Sequence, residues 1–337
     1  MDTIREEARE IPVVATCDVC VVGGSCTGVF AAVRAAQLGA KACLVENNGF
    51  FGGVATAGLV NLWHSLYDTT GKRQIIAGLT AEMLDRLRRR GAAVQRGTVP
   101  EHYELNPAEL VLELDALVTE AGVQPFLHTR FVQPVAEGGR MTAAIVEDKS
   151  GRRAIRARLF VDATGDGDVI ARMGLPFRKL DDLQPPTTCM ILHGLDAVRR
   201  QNPGFSLSQA AHDPKYPEAL KPGFLWHAAV PGLPDAHMVA GTRASGSDCS
   251  DADALTRASL ETRRQVRAIC DILRRHIPGG DKIALAALSS YIGIRETRHA
   301  TCLHTLTDEE LLHGQRFDDA IANGTYPVDV HHSNRPG

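Results

Sequence analysis

The sequence predicts an α/β fold: a three-layer domain on a parallel sheet, carrying a β-meander, with an inserted second domain of mixed α+β structure. Three observations predict it. A β-branched run, a glycine-rich turn, an alanine-rich helix and a second apolar strand follow one another between Asp18 and Glu46. Residues 123–162 alternate like β-structure, with glycine turns between the runs. From about residue 175 to 285 prolines cluster and the strand–helix alternation breaks.

Each element has its own signal. Asp18-Val-Cys-Val-Val22 reads as a strand buried on both faces. Thr27 to Leu38 reads as a helix with Gly39 as its C′ residue, and Lys41 to Glu46 as the second strand of a βαβ unit. Two helices are expected over 75–90 and 107–121. The first rests on Leu79, Met83 and Leu87; the second rests on Leu110, Leu112, Leu114 and Leu117 and stops before Gly122. Strands are expected over 125–128, 131–133, 143–146 and 157–161, with hairpin turns at Gly138-Gly139 and Lys149-Ser-Gly151. Ser250-Asp251 opens a long helix carrying Leu255, Leu260, Val266, Ile269, Leu273 and Ile277, which Gly279-Gly280 ends. Thr307-Asp-Glu-Glu310 is a capping box. The expected organisation is one domain over 14–174, an inserted domain over 175–285, and a return segment toward the first domain over 286–337.

Composition narrows the function. In 337 residues the hydrophobic fraction is 44% and the charged fraction 23%, those of a globular protein with a sizeable core. A net charge of −3 offers no basic face for nucleic acid or a membrane surface. The first ten residues mix charges without an apolar core, and the apolar stretch from Val19 to Ala36 is interrupted by glycines and Arg34. A cytoplasmic protein is expected. Its eight cysteines are then free thiols. Cys17 and Cys20 form a C-x-x-C, but residues three apart on a strand point to opposite faces, so no metal site is expected.

The chemistry sits in two glycine motifs. Gly23-Gly24-Ser25-Cys26-Thr27-Gly28 lies between strand and helix, with Ser25 in place of the second glycine of G-x-G-x-x-G. The first glycine makes the tight turn, the last lets helix pack on strand, and the helix N-terminus offers free N–H groups to a pyrophosphate. Glu46 ends the second strand, where a carboxylate would hold ribose hydroxyls. This is a Rossmann-like nucleotide-binding pattern. Ala163-Thr164-Gly165-Asp166-Gly-Asp168 follows a later strand, 158–162, as a second turn.

In combination these residues, with Gly52-Gly53 to Gly58, Gly293-Ile-Arg-Glu-Thr-Arg298 and Tyr326-Pro-Val-Asp-Val-His331, resemble the FAD-dependent oxidoreductase family of the glutathione-reductase-type flavin fold. The resemblance runs from about Val14 to His332. It implies FAD as cofactor, with its pyrophosphate on Gly23 to Gly28 and its adenosine ribose on Glu46. It further implies Gly52-Gly53 near the ribityl chain, Val132 near the adenine, and Ala163 to Asp166 closing over the cofactor. His64, Arg295 and His331 are the catalytic candidates: histidines as acid or base, arginine as an anion clamp, with Arg298 a second possible clamp. The substrate is expected to be a small organic molecule. The family's usual C-terminal flavin-covering segment has no counterpart before Gly337. A complementing chain is therefore an expected partner, a homo-oligomer is another, and a fragment of a split flavoenzyme or an inactive nucleotide-binding scaffold is the alternative reading. A nicotinamide-dependent dehydrogenase fits less well, because residues 123–162 read as hairpins rather than as further parallel strands.

Overall fold

A computed structural model describes residues 2–97, 101–324 and 329–331, so Tyr326 and His332 of the expected motifs lie outside the described residues. The chain divides into two compact units, Met1–Phe51 with Asp115–Pro176, and Gly52–Leu114 with Phe177–Gly337.

The first unit is a six-stranded sheet with short helices. Its elements are β1 (Val13–Val22), α1 (Cys26–Gln37), β2 (Ala42–Val45), β3 (Gln124–Phe126), β4 (Arg130–Glu137), β5 (Arg140–Asp148), β6 (Gly151–Asp162) and α2 (Asp168–Arg172). The strand order is β3-β2-β1-β6-β5-β4. The first four are parallel, and β6, β5 and β4 form antiparallel hairpins, which is the expected meander. Strand β1 runs longer than the apolar run alone predicts, because β6 pairs with it from Val13↔Ala154 to Val22↔Asp162. The core holds Val22, Val45, Phe126, Phe131, Met141, Val146 and Ile155.

One local expectation is corrected here. Cys17 and Cys20 do not diverge: both belong to this core together with Cys43, and the Cys17 thiol donates to Arg156 O at 3.5 Å. The amides of Asp18 and Val19 both donate to Lys41 O, at 2.8 and 3.2 Å. Ala15 and Cys17 share this core with Cys20 and Val22, so the strict two-residue alternation slips between Cys17 and Cys20, at the point where two amides share one acceptor.

The second unit contains residues 52–114, which the sequence places with the first domain, and also the expected return segment. The reason is hydrogen bonding. The Asn61 amide donates to Leu105 O and Ala229 O at 2.9 and 2.8 Å, and Tyr291 N donates to Ala57 O at 3.3 Å. Strands Trp226–Ala229, Ala236–Ala240, Met190–His193 and Ala284–Leu288 form an antiparallel sheet in that order. The helix Ala252–His276 lays Val266, Ile269, Cys270 and Leu273 on it, against Met190, Leu192 and Val239. Among the described residues no helix is long and apolar enough to cross a membrane.

Candidate functional site

At the C-terminal edge of the first unit's sheet, the two glycine motifs meet. Gly23 takes φ +105°, and a Cβ built on it would fall 2.2 Å from Ala163 O. A Cβ on Gly28 would fall 1.8 Å from Gly23 O, and one on Gly24 would fall 2.6 Å from the Phe51 ring and 2.8 Å from Glu46 Cβ. All three positions therefore exclude any larger residue. Ser25, the departure from the pattern, is the N-cap of α1, and its Oγ accepts from Gly28 N at 3.4 Å. Cys26 and Thr27 begin the helix. The first-turn N–H groups of a helix have no intrahelical acceptor, and the positive end of its dipole lies there.

Glu46 is buried, and its carboxylate is already at work. Oε2 accepts from Gly24 N at 2.7 Å, while Oε1 accepts from Asn48 N and Asn48 Nδ2, both at 2.7 Å. A carboxylate has about four acceptor sites. Three are taken, and one remains for a ribose hydroxyl.

The return turn is built by Asp162, the last residue of β6. Oδ1 accepts from Thr164 N and Oγ1 at 3.1 and 2.7 Å, and Oδ2 accepts from Val169 N and Ile170 N at 3.0 and 3.1 Å. Ala163 N donates to Val22 O at 2.8 Å, which ties the turn to β1. Gly165, at φ +84°, opens onto free space, and Asp166 follows it in the turn. Val132 stands at a register shift between Phe131 and Gln133, so its backbone is released from the regular ladder with β5; its carbonyl accepts from Arg172. The donor set fits a dinucleotide: helix amides for phosphate, a buried acid for ribose, and a bulged strand for an adenine edge.

Gly52 and Gly53 stand in the second unit. They open the turn Gly53–Ala55 at φ +110° and +55°, and Thr56 and Leu114 leave no room for a Cβ on Gly52.

The catalytic candidates also lie in the second unit, and two of them, His64 and His331, feel the same carboxylate, Asp329. His331 Nε2 is 3.3 Å from Asp329 Oδ2, and the backbone N–H of His331 donates to Gln184 Oε1 at 3.1 Å. Burial and the Arg295 guanidinium hold the His331 ring below its usual range, against the pull of Asp329. His64 follows a short strand whose Trp63 pairs with Tyr103, which sets it opposite His102. It keeps much of its surface open, yet the surrounding protein and His102 still lower its pKa, while Asp329 opposes them. Arg295 Nη2 donates to Thr187 Oγ1 at 3.3 Å. Arg298 is directed elsewhere, donating to Ser250 O at 3.2 Å and lying 5.7 Å from the Phe177 ring centre.

Sequence reasoning missed two features. Arg243 shares the electrostatic neighbourhood of His331 and Asp329. Its signal was a charge set just after the wholly buried strand Ala236–Ala240. Asp196, Asp235 and His237 bring potential metal-ligand atoms within 4.8 Å of one another. These groups are already joined. His237 Nε2 lies 3.1 Å from Asp196 Oδ1, Asp196 N donates to Asp235 Oδ1 at 2.8 Å, and Arg199 stands 3.7 Å from Asp196.

The p-nitrophenol 4-monooxygenase PnpA from Pseudomonas putida DLL-E4 is similar in fold, with a TM-score of 0.50 at 15% identity, over 86% of this chain and 70% of that one. A geranylgeranyl bacteriochlorophyll reductase-like protein from Thermoplasma acidophilum gives a TM-score of 0.49 at 18% identity, over 83% of this chain and 66% of that one. The myxobacterial chondrochloren halogenase CndH gives 0.47 at 16% identity, over 84% and 64%. The chain thus spans about two thirds of the length of these structures. No curated protein matches the sequence. The family model described as FAD dependent oxidoreductase matches residues 18–336. The chain belongs to the FAD dependent oxidoreductase family, and its cofactor is FAD.

Proposed function

We propose that this chain carries the FAD-binding edge and the substrate-side groups of an oxidoreductase acting on a small organic molecule. The observation that carries the reading is the meeting of Gly23 with Ala163, which joins two motifs 140 residues apart into one nucleotide-binding edge (163 − 23 = 140). Bound FAD supplies the two-electron redox chemistry. The chain's own residues bind, orient and move protons. The α1 N-terminus faces the pyrophosphate, Glu46 takes one ribose hydroxyl, and Val132 presents its backbone to the adenine. Thr164 and Gly165 cover the cofactor from the return turn.

In the second unit His64 is neutral near pH 7, because its pKa is lowered, and so it can accept a proton at a ring nitrogen. Arg295 fixes charge on the substrate, and His331 lines the same cluster. Visible absorption of the purified protein, before and after FAD is added, tests the cofactor half. Added FAD is expected to give a flavin spectrum with wild type and a weaker one with Glu46→Ala; unchanged FAD affinity in that variant counts against the assignment. For the proton-transfer role, His64→Gln is expected to lower kcat by about a hundredfold with FAD content preserved. Full activity in it removes His64 from the chemistry.

A further inference from the structure

The second unit holds a cavity apart from the groups assigned above. Alternation along the strand Ala236–Ala240 divides its side chains between the two faces of the sheet. Val239 packs with Val266, Ile269 and Leu273 of the long helix, while Met238 packs with Cys189 on the face that meets Leu59, Val60 and Leu62. His227 is paired with Val239, and Ala229 with His237, so both histidines share the helix-covered face. Their rings meet edge to face, with centres 5.5 Å apart. Beside His227, a cavity of about 340 Å³ is lined by Arg199, Phe205, Leu207, Phe224 and Trp226. Hydrogen bonds fix its walls. Leu225 N donates to Ser208 Oγ at 3.0 Å, which ties the strand to the helix Leu207–His212, and Phe205 N donates to Asn202 O at 3.0 Å. Phe224 stays 53% exposed, which sets it at the mouth.

One end of the cavity is charged. Arg199 donates to His227 Nε2, and among the described residues its hydrogen bonds go to that ring alone. A guanidinium has five N–H donors. Arg199 Nη1 stands 3.7 Å from Asp196 Oδ1, too far for a hydrogen bond, and His237 Nε2 lies 3.1 Å from the same oxygen. The His227 ring brings no charge of its own, because burial and the Arg199 charge push its pKa down to about 4. Aromatic faces therefore meet a guanidinium with unused donors. Its fork matches a planar carboxylate in shape and charge, and flat rings suit the walls. Ligand pockets run from about 300 to 1,000 Å³, so a volume at the low end takes one ring and not a dinucleotide.

We propose that Arg199, with Phe205, Phe224 and Trp226, forms a binding site for a small aromatic carboxylate, and that His227 positions the guanidinium. The site lies within the second unit and needs no bound FAD, so it stands or falls apart from the oxidoreductase reading. The test is titration calorimetry of the full chain with sodium phenylacetate, set against phenylacetamide and sodium acetate. Wild type is expected to bind phenylacetate at one site, and the amide and acetate at least about tenfold more weakly. Arg199→Gln should lose about ten- to a hundredfold in phenylacetate affinity, the range for one charged hydrogen-bond partner. Phe224→Ser, at an exposed position that folding tolerates, should lose about three- to tenfold through the missing ring contact. If Arg199→Gln does not fold, as its melting curve will show, the Phe224→Ser result and the wild-type selectivity decide. Equal affinity for phenylacetate and its amide overturns the proposal, as does a wild type that binds neither. So does wild-type affinity for phenylacetate in Phe224→Ser or in folded Arg199→Gln, which places the carboxylate elsewhere.

Discussion

At the scale of single residues, Glu46 and Gly28 show how far the nucleotide edge is a product of the chain's own packing. The Glu46 carboxylate ties Gly24, Asn48 and the end of β2 together, so its removal leaves three donors short of an acceptor. Glu46→Ala is expected to destabilise the FAD-free protein by about 1–3 kcal/mol as well as weaken FAD binding, which denaturant titration with FAD removed will show. Gly28→Ala must push a methyl group toward Gly23 O, and a cost of about 1–3 kcal/mol or more follows. A melting temperature equal to wild type in Gly28→Ala would contradict the packing described. These residues were legible in the sequence because turn chemistry is local. Arg243 was not, since the threonine pair that positions it, Thr188 with Thr242, joins residues 54 apart. The cysteine pair was misread for a smaller reason: the two-residue period on which the reading relied slips between Cys17 and Cys20, where the amides of Asp18 and Val19 share one acceptor.

At the scale of elements, the periodic segments were the legible ones. The helix expected over 107–121 runs Pro107–Glu120, and the long helix expected after Asp251 runs Ala252–His276. Asp251 caps the latter, accepting from Ala254 N at 2.8 Å. Asp251→Ala should cost about 1 kcal/mol, measurable as a lower denaturation midpoint, because one first-turn amide loses its acceptor. The helix expected from Ile75 begins only at Leu79, after Gly78 at φ +61°. Apolar spacing continued past the point where the backbone could follow it.

At the scale of the whole molecule, acid should weaken the fold. Burial, the Arg199 charge and His237 push His227 down to about 4, against the opposing pull of Glu104 and Asp196, and Arg199 donates to its Nε2. Below its unfolded pKa of 6.5 the unfolded chain takes up a proton that the folded ring refuses, so stability falls as pH drops from 6.5 toward 4. Lowered values at His64 and His331 act in the same direction. A thermal-melt series across that range is expected to show the decline, and His227→Gln should flatten part of it. A flat series for wild type would refute the buried, neutral ring. The two-unit division was only half legible. Proline clustering marked the change near residue 175, but nothing local shows that 52–114 bond to strands more than a hundred residues later.

The central place of β1 has a consequence for how the protein is made. One of its two neighbours, β6, is paired from Ala154 onward, so β1, once it has left the ribosome, waits for a strand made much later. At about 5–20 residues per second that wait lasts roughly ten to thirty seconds, with an apolar strand edge open to other nascent chains. Nascent chains arrested before residue 150 should therefore be digested readily by protease and captured by chaperones, while chains arrested well past Asp162 should show a protected N-terminal core.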